Sequence, residues 1–113
     1  MPAWVPMSPE IRERARRVRL LAMDVDGVLT DAGMYYGENG EELKKFNTRD
    51  GMGVALVHEA GLKTAILTRE NTKIVERRAR KMKIELVRQG VLDKLTALRA
   101  IVEQLGITLD EVA

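Results

Sequence analysis

Apolar and polar residues follow two rhythms along this chain. Val18 to Asp24 (VRLLAMD) is a near-continuous apolar run ending in an acid, too short for a lone helix and suited to a strand buried on both faces. Lys63 to Thr68 (KTAILT) reads as a second such strand, and Ile84 to Val87 as a short third. Around these runs the spacing is helical. Ser8-Pro9-Glu10 supplies an N-cap, a proline at the first helical position and an acid in the first turn, so a helix is expected over residues 8–18. Asp50 can cap a helix from Gly51 to Ala60, with Val54, Leu56 and Val57 on its apolar face and Gly61 ending it. Asn71 or Thr72 caps another that runs to Met82. Asp93 to Leu105 puts Leu95, Leu98, Ile101, Val102 and Leu105 on one face and stops at Gly106. Thr108-Leu109-Asp110-Glu111 is a short capped turn.

Residues 33–47 break this alternation. Gly33 to Tyr36 and Leu43 to Asn47 flank Gly37-Glu38-Asn39-Gly40, and Asn39-Gly40 is a strong turn signal, so a β-hairpin is expected here. Apart from the hairpin, strands alternate with helices. That pattern predicts an α/β fold with a parallel sheet and right-handed crossovers.

Composition narrows the classes. The chain has 113 residues, enough for one domain, and is 45% apolar and 32% charged, as ordinary globular proteins are. It has no cysteine, which excludes a disulfide scaffold and a thiolate metal site. The one histidine, His58, excludes a histidine cluster and is expected on a helix surface without a role. No apolar run approaches the roughly 18 residues of a membrane span. The first residues lack the apolar core of a secretory signal, so the expected compartment is the cytoplasm. A net charge of +2 says little about partners. Basic residues do cluster at Arg12–Arg19 and Arg77–Lys83, but no aromatic is interleaved with either cluster. Solvated helix faces are expected there, with no nucleic-acid partner.

The chemistry concentrates where the predicted strands end. In a parallel sheet ligands gather at the carboxyl ends of the strands. Asp24 ends the first strand, Thr68 ends the second, and Lys94 follows the third. Asp26 lies two residues past Asp24, and Gly27 lets the backbone turn sharply. Two carboxylates, a hydroxyl and an ammonium form a set suited to phosphoryl transfer. One Asp can attack phosphorus, the other can exchange a proton with the leaving oxygen and with water, and Thr68 and Lys94 can hold phosphoryl oxygens. A phosphate dianion facing a carboxylate calls for a hard cation, and Mg²⁺ fits.

Asp24-Val25-Asp26-Gly27-Val28-Leu29-Thr30-Asp31 resembles the first motif of haloacid-dehalogenase-like phosphatases. Gly40-Glu41-Glu42-Leu43-Lys44-Lys45-Phe46-Asn47-Thr48-Arg49-Asp50-Gly51 and Gln89-Gly90-Val91-Leu92-Asp93-Lys94 narrow the likeness to a capless branch. That branch contains the 3-deoxy-D-manno-octulosonate 8-phosphate and acylneuraminate 9-phosphate phosphatases. The resemblance implies a Rossmann-like three-layer sandwich with an inserted hairpin. It implies Asp24 as nucleophile, Asp26 as general acid/base, and Mg²⁺ held by the Asp24 carboxylate and the Asp26 backbone carbonyl. Thr68 and Lys94 become phosphate ligands. The substrate is then a sugar acid phosphate of lipopolysaccharide or sialic acid biosynthesis. A homotetramer is implied, built through the hairpin, with Tyr35, Tyr36 and Phe46 at the interface. Thr68-Arg69-Glu70 departs from the Thr-Gly-Arg of the octulosonate enzymes; Glu70 with Lys81 resembles the acylneuraminate enzymes. Lys81, Glu70 and Arg49 are therefore the candidate substrate contacts.

The resemblance stops short of the branch's fourth motif, a strand ending in further acids. A piece of a longer gene product is expected, with its last strands missing and a sparse Mg²⁺ shell. Arg19 to Met23 should then form an apolar edge that is either exposed or paired with a strand of another chain. The competing expectation is a catalytically impaired chain that serves as an oligomeric scaffold or binding module.

Overall fold

The structure, a computed structural model, describes residues 5–113; residues 1–4, Trp4 among them, lie outside it. Helix α1 (Pro9–Arg17) leads into strand β1 (Leu20–Met23). The hairpin strands β2 (Tyr35–Gly37) and β3 (Gly40–Leu43) follow, then α2 (Thr48–Glu59) and β4 (Lys63–Leu67). Helix α3 (Lys73–Lys81), strand β5 (Leu86–Arg88), helix α4 (Lys94–Leu105) and a 3₁₀ turn (Leu109–Glu111) complete the chain.

The three parallel strands lie in the order β1-β4-β5, and the antiparallel hairpin forms a separate ribbon. Strand β4 is central and buried from Thr64 onward. Its alternate side chains enter two cores. Ile66 packs with Val25, Leu29, Val54, Val75, Ala79, Met82 and Ile84, beneath α2 and α3. Ala65 and Leu67 pack with Leu20 and Ile101, beneath α4. Two helical layers thus sandwich the sheet, as expected. Each fully buried aliphatic such as Leu20, Ile66 or Ile101 contributes roughly 1.5–3 kcal/mol. Helix α1 buries nothing and lies on the surface, its arginines solvated.

Four expected boundaries move. Helix α2 starts at Thr48, because Asn47 rather than Asp50 is its cap: the Asn47 side chain accepts the Arg49 N–H at 2.8 Å. Asp50 sits in the first turn instead, where an acid meets the positive end of the helix. In the hairpin the two-residue loop is Glu38-Asn39, and the returning strand ends at Leu43 rather than Asn47. Residues 44–46 leave the strand because Lys44 and Lys45 turn to the acids of the loop after β1. The third strand begins at Leu86, since Lys83 turns the chain through a positive φ of 60° and buries Ile84 under α3.

The fourth correction concerns the edge of β1, which is covered. Arg19 N–H donates to the Glu111 carbonyl at 2.7 Å, Ala22 N–H to Ala113 at 2.8 Å, and Ala113 N–H to Leu20 at 3.0 Å. Leu20 pairs in parallel with Val112. The cause is the capping box at Thr108–Glu111, whose reciprocal bonds turn the chain back alongside β1. Residues 111–113 thus occupy an edge position that would otherwise template intermolecular pairing.

Candidate active site

The site is built where β1 and β4 end. The β1–β4 register pairs Met23 with Ile66, so Asp24 and Thr68 emerge at nearly the same level of the sheet. The β4–β5 register pairs Leu67 with Arg88, which brings the loop 89–93 and the start of α4 to the same edge.

The loop after β1 is fastened from below. Val25 and Leu29 are buried, and the Val25 carbonyl accepts N–H groups from Val28, Leu29 and Thr30. The Thr30 hydroxyl accepts from Gly27 N–H and Ala32 N–H. Gly27 adopts a φ of +83°, a conformation costly for any residue with a Cβ. With Val25 and Leu29 inside, Asp24 and Asp26 remain at the surface of the loop.

Asp24 has two partners. Its Oδ1 accepts the Val25 N–H at 2.7 Å, and its Oδ2 accepts from Lys94 Nζ at 2.6 Å. The Lys94 contact joins residues 70 positions apart in the chain. Lys94 is the first residue of α4, placed by the Asp93 cap. The Thr96 hydroxyl and the Thr96 N–H hold the Asp93 carboxyl below the ordinary value of 3.8. The Lys94 and Asp24 side chains keep 40% and 37% of their exposure, so the site is an open shelf. In that setting the pair contributes on the order of 1 kcal/mol or less to stability.

Asp26 has a different kind of partner. Lys44 Nζ donates to its Oδ1 at 2.8 Å, and the Lys44 side chain is only 1% exposed. Lys44 is the residue of the site that its motif contained but no role singled out. A signal was present: across Leu43-Lys44-Lys45-Phe46 the even positions face inward and the odd ones outward. A lysine sharing the inward face with a phenylalanine needs an acid within reach of its ammonium.

Thr68 is 1% exposed. Its N–H donates to the Arg88 carbonyl, its carbonyl accepts from Val91, and its hydroxyl accepts the Glu70 N–H at 3.2 Å. Glu70 is half-buried, and its carbonyl accepts from Gly90 N–H. These bonds tie the turn 68–70 to the loop before α4. Asp24, Asp26, Thr68, Glu70 and Lys94 are therefore gathered at one edge of the sheet.

Arg49 and Lys81 are not part of this group. Arg49 is exposed in the first turn of α2, and among the described residues its guanidinium has no hydrogen-bond partner. Lys81 ends α3, the helix whose start adjoins the Thr68 turn. It borders a groove of about 430 Å³ with Leu43, Lys44, Phe46, Lys73 and Arg77.

Two further expectations change. His58 is half-buried rather than on the surface, with Nε2 2.6 Å from the hydroxyl of buried Thr64. Arg78 leaves its solvated cluster: it stacks over Phe46 at 5.4 Å and donates to the Asn47 carbonyl at 2.9 Å. Phe46 packs against the core beneath α2 and α3, whereas Tyr35 and Tyr36 are exposed. No helix of the described residues is long and apolar enough to cross a membrane.

Known proteins resemble this arrangement over most of the chain. The 3-deoxy-D-manno-octulosonate 8-phosphate phosphatase of Salmonella typhimurium is 43% identical over 108 residues, covering 96% of this chain and 57% of the relative. The same enzyme from Moraxella catarrhalis, solved with magnesium ion, phosphate ion and a KDO molecule, superposes with a TM-score of 0.87 at 40% identity, covering 91% of this chain and 59% of that one. A haloacid-dehalogenase-superfamily (subfamily III A) hydrolase from Legionella pneumophila gives 0.87 at 36% identity, covering 91% of this chain and 57% of that one. No protein-family model matches. The chain spans 57% of the length of the curated relative it matches.

Proposed function

We propose that this chain, a member of the haloacid-dehalogenase-like superfamily in the branch of the 3-deoxy-D-manno-octulosonate 8-phosphate phosphatases, hydrolyses the phosphomonoester of a 2-keto-3-deoxy sugar acid. The observation that carries the reading is the 2.6 Å contact between Lys94 Nζ and Asp24 Oδ2, which unites the first and third motifs at the sheet edge.

Asp24 attacks phosphorus through a carboxylate oxygen, and the bond from phosphorus to the sugar oxygen breaks. The Asp26 carboxyl gives that oxygen its proton. The product is an aspartyl-phosphate on Asp24 and a free sugar acid. Asp26, now a carboxylate, takes a proton from water as the water attacks phosphorus, and inorganic phosphate leaves with Asp24 restored. Lys94 offsets charge on the phosphoryl oxygens, and the Thr68 hydroxyl donates to one of them. Arg49, Glu70 and Lys81 contact the rest of the sugar acid.

The donors suit Mg²⁺. The Asp24 carboxylate and the Asp26 backbone carbonyl are hard oxygens on one loop, and Mg²⁺ commonly takes one or two carboxylates and fills its shell with water and substrate phosphate. When bound there, the ion supplies charge neutralisation between Asp24 and the phosphate dianion. Octulosonate 8-phosphate is the favoured substrate, because the relatives carry that name; a nonulosonate 9-phosphate is the alternative suggested by Glu70 and Lys81. A homotetramer assembled through the exposed Tyr35 and Tyr36 of the hairpin, in the cytoplasm, completes the reading.

One observation favours the second reading, a scaffold or binding module without turnover. Among the described residues no group of three or more His, Cys, Asp or Glu side chains gathers as a metal site. Phosphate release from both sugar acid phosphates, with Mg²⁺ and with Asp24→Asn as control, decides between them. Turnover that vanishes in the control supports the phosphatase. A folded chain that releases nothing from either substrate supports the scaffold.

A further inference from the structure

We propose that Lys44 is a positioning residue for this site: its buried ammonium, carried by the chain that returns from the hairpin, sets the orientation of the Asp26 carboxylate. The inference rests on the phosphatase reading for its catalytic meaning, and on geometry alone for its structural meaning.

An ammonium is costly to bury unless it is paired at close range. Lys44 meets that condition with Asp26 Oδ1 at 2.8 Å while its side chain is 1% exposed. Asp26 is 22% exposed, so the pair sits at the boundary between the core and the shelf. A flexible carboxylate on an open loop samples several rotamers. Holding Oδ1 from the core side selects one of them and leaves proton exchange to Oδ2. Position matters here, since an acid–base group must lie within hydrogen-bond reach of the proton it moves.

The hairpin is thereby coupled to the chemistry. Lys44 leaves the end of β3, and Phe46 two residues on is fixed by core packing and by Arg78. This anchorage lets a lysine, otherwise a mobile side chain, act as a fixed support. Lys45 reaches Asp31 of the same loop at 2.9 Å but is 67% exposed, and it serves as the internal control.

The test compares Lys44→Met, Lys44→Arg and Lys45→Met in the full chain. The first readout needs no turnover: the Asp26 side-chain position in crystal structures, with the carboxyl carbon resonances of ¹³C-labelled aspartate. In Lys44→Met the Asp26 carboxylate is expected to leave its position while the backbone of residues 24–31 stays, and Lys45→Met should leave Asp26 in place. An Asp26 that stays fixed in Lys44→Met overturns the proposal. The second readout is kinetic. Lys44→Met should lower kcat about tenfold or more with KM changed less than about twofold, and Lys44→Arg should restore most of it. An equal rise in KM with kcat unmoved would mean a structural role only. If the wild-type chain shows no turnover, the phosphatase reading falls and the carboxylate readout still decides the role of Lys44. Should Lys44→Met not fold, Lys44→Gln carries the same comparison, because its amide satisfies the buried position without a charge.

Discussion

Lys44 and Lys45 are neighbours in sequence, and each reaches an acid of the same loop, yet their surroundings are opposite. Lys44 meets Asp26 at 2.8 Å with 1% of its side chain exposed; Lys45 meets Asp31 at 2.9 Å with 67% exposed. The bond lengths hardly differ, so distance does not separate the two pairs. Burial does. Around Lys44 water is excluded, so water cannot readily take the place of a lost partner. Around Lys45 water replaces whichever partner is lost. The inner pair is therefore positional and the outer pair peripheral, although the sequence writes them as the same two letters.

The largest effect should fall on the chemistry that the inner pair serves. In the proposed phosphatase reading, Asp24→Asn exchanges the attacking carboxylate for a non-nucleophilic amide, and phosphate release should drop by about four orders of magnitude or more, measured at saturating substrate. Residual turnover close to wild type would remove Asp24 from the mechanism.

Next comes stability. Lys44→Met removes the ammonium that Asp26 bonds, and unfolding in urea should show a loss of about 1–2 kcal/mol at neutral pH, since Asp26 keeps some access to water. Lys45→Met should move the urea midpoint far less, because its pair is exposed. Equal losses from the two substitutions would erase the distinction between the pairs.

The smallest effects are pH-dependent and belong to the outer pair. Hydrogen bonding to Lys45, with the Gly33 N–H and the nearby charge of Lys45, holds the Asp31 carboxyl below 3.8. Bonding to Asp31 holds the Lys45 ammonium above 10.5. A depressed acid contributes stability that is present above its unfolded value and lost as pH falls through its folded one. A raised base contributes stability that is present below its unfolded value and lost as pH rises through its folded one. Lys45→Met should therefore lower the unfolding midpoint slightly near neutrality, leave it unchanged at both pH extremes, where the pair is already lost, and so flatten its pH profile. Asp93→Asn should flatten the acid side alone, because Thr96 lowers the Asp93 carboxyl and no base is raised in exchange. A change that appears at the pH extremes and is absent near neutrality, in either variant, would contradict the assignment.

Much of this molecule is legible in its residues. The apolar runs ending at Asp24 and Thr68 mark strands of a parallel sheet covered on both faces, because they are apolar at consecutive positions and too short for a helix. Caps and stops such as Asp93 and Gly106 act within a few residues, so their pattern alone places α4, and it places the start of α3 to within one residue, at Asn71 or Thr72, of which the structure uses Thr72. The gathering of Asp24, Thr68 and Lys94 follows from parallel topology, which sends every strand's carboxyl end to one edge.

Only the tertiary structure decided the rest. That α2 starts from Asn47 rather than Asp50, where β3 ends, and which lysine is buried all depend on partners distant in sequence: Arg78 on the Asn47 carbonyl, Asp26 and Asp31 on the two lysines. The covering of β1 by residues 111–113 is of the same kind, since a capped turn shows that the chain bends but not what it bends toward. Local periodicity records how a segment satisfies its own backbone. Burial of a charge depends on long-range contacts, and those exist only once the layers have packed.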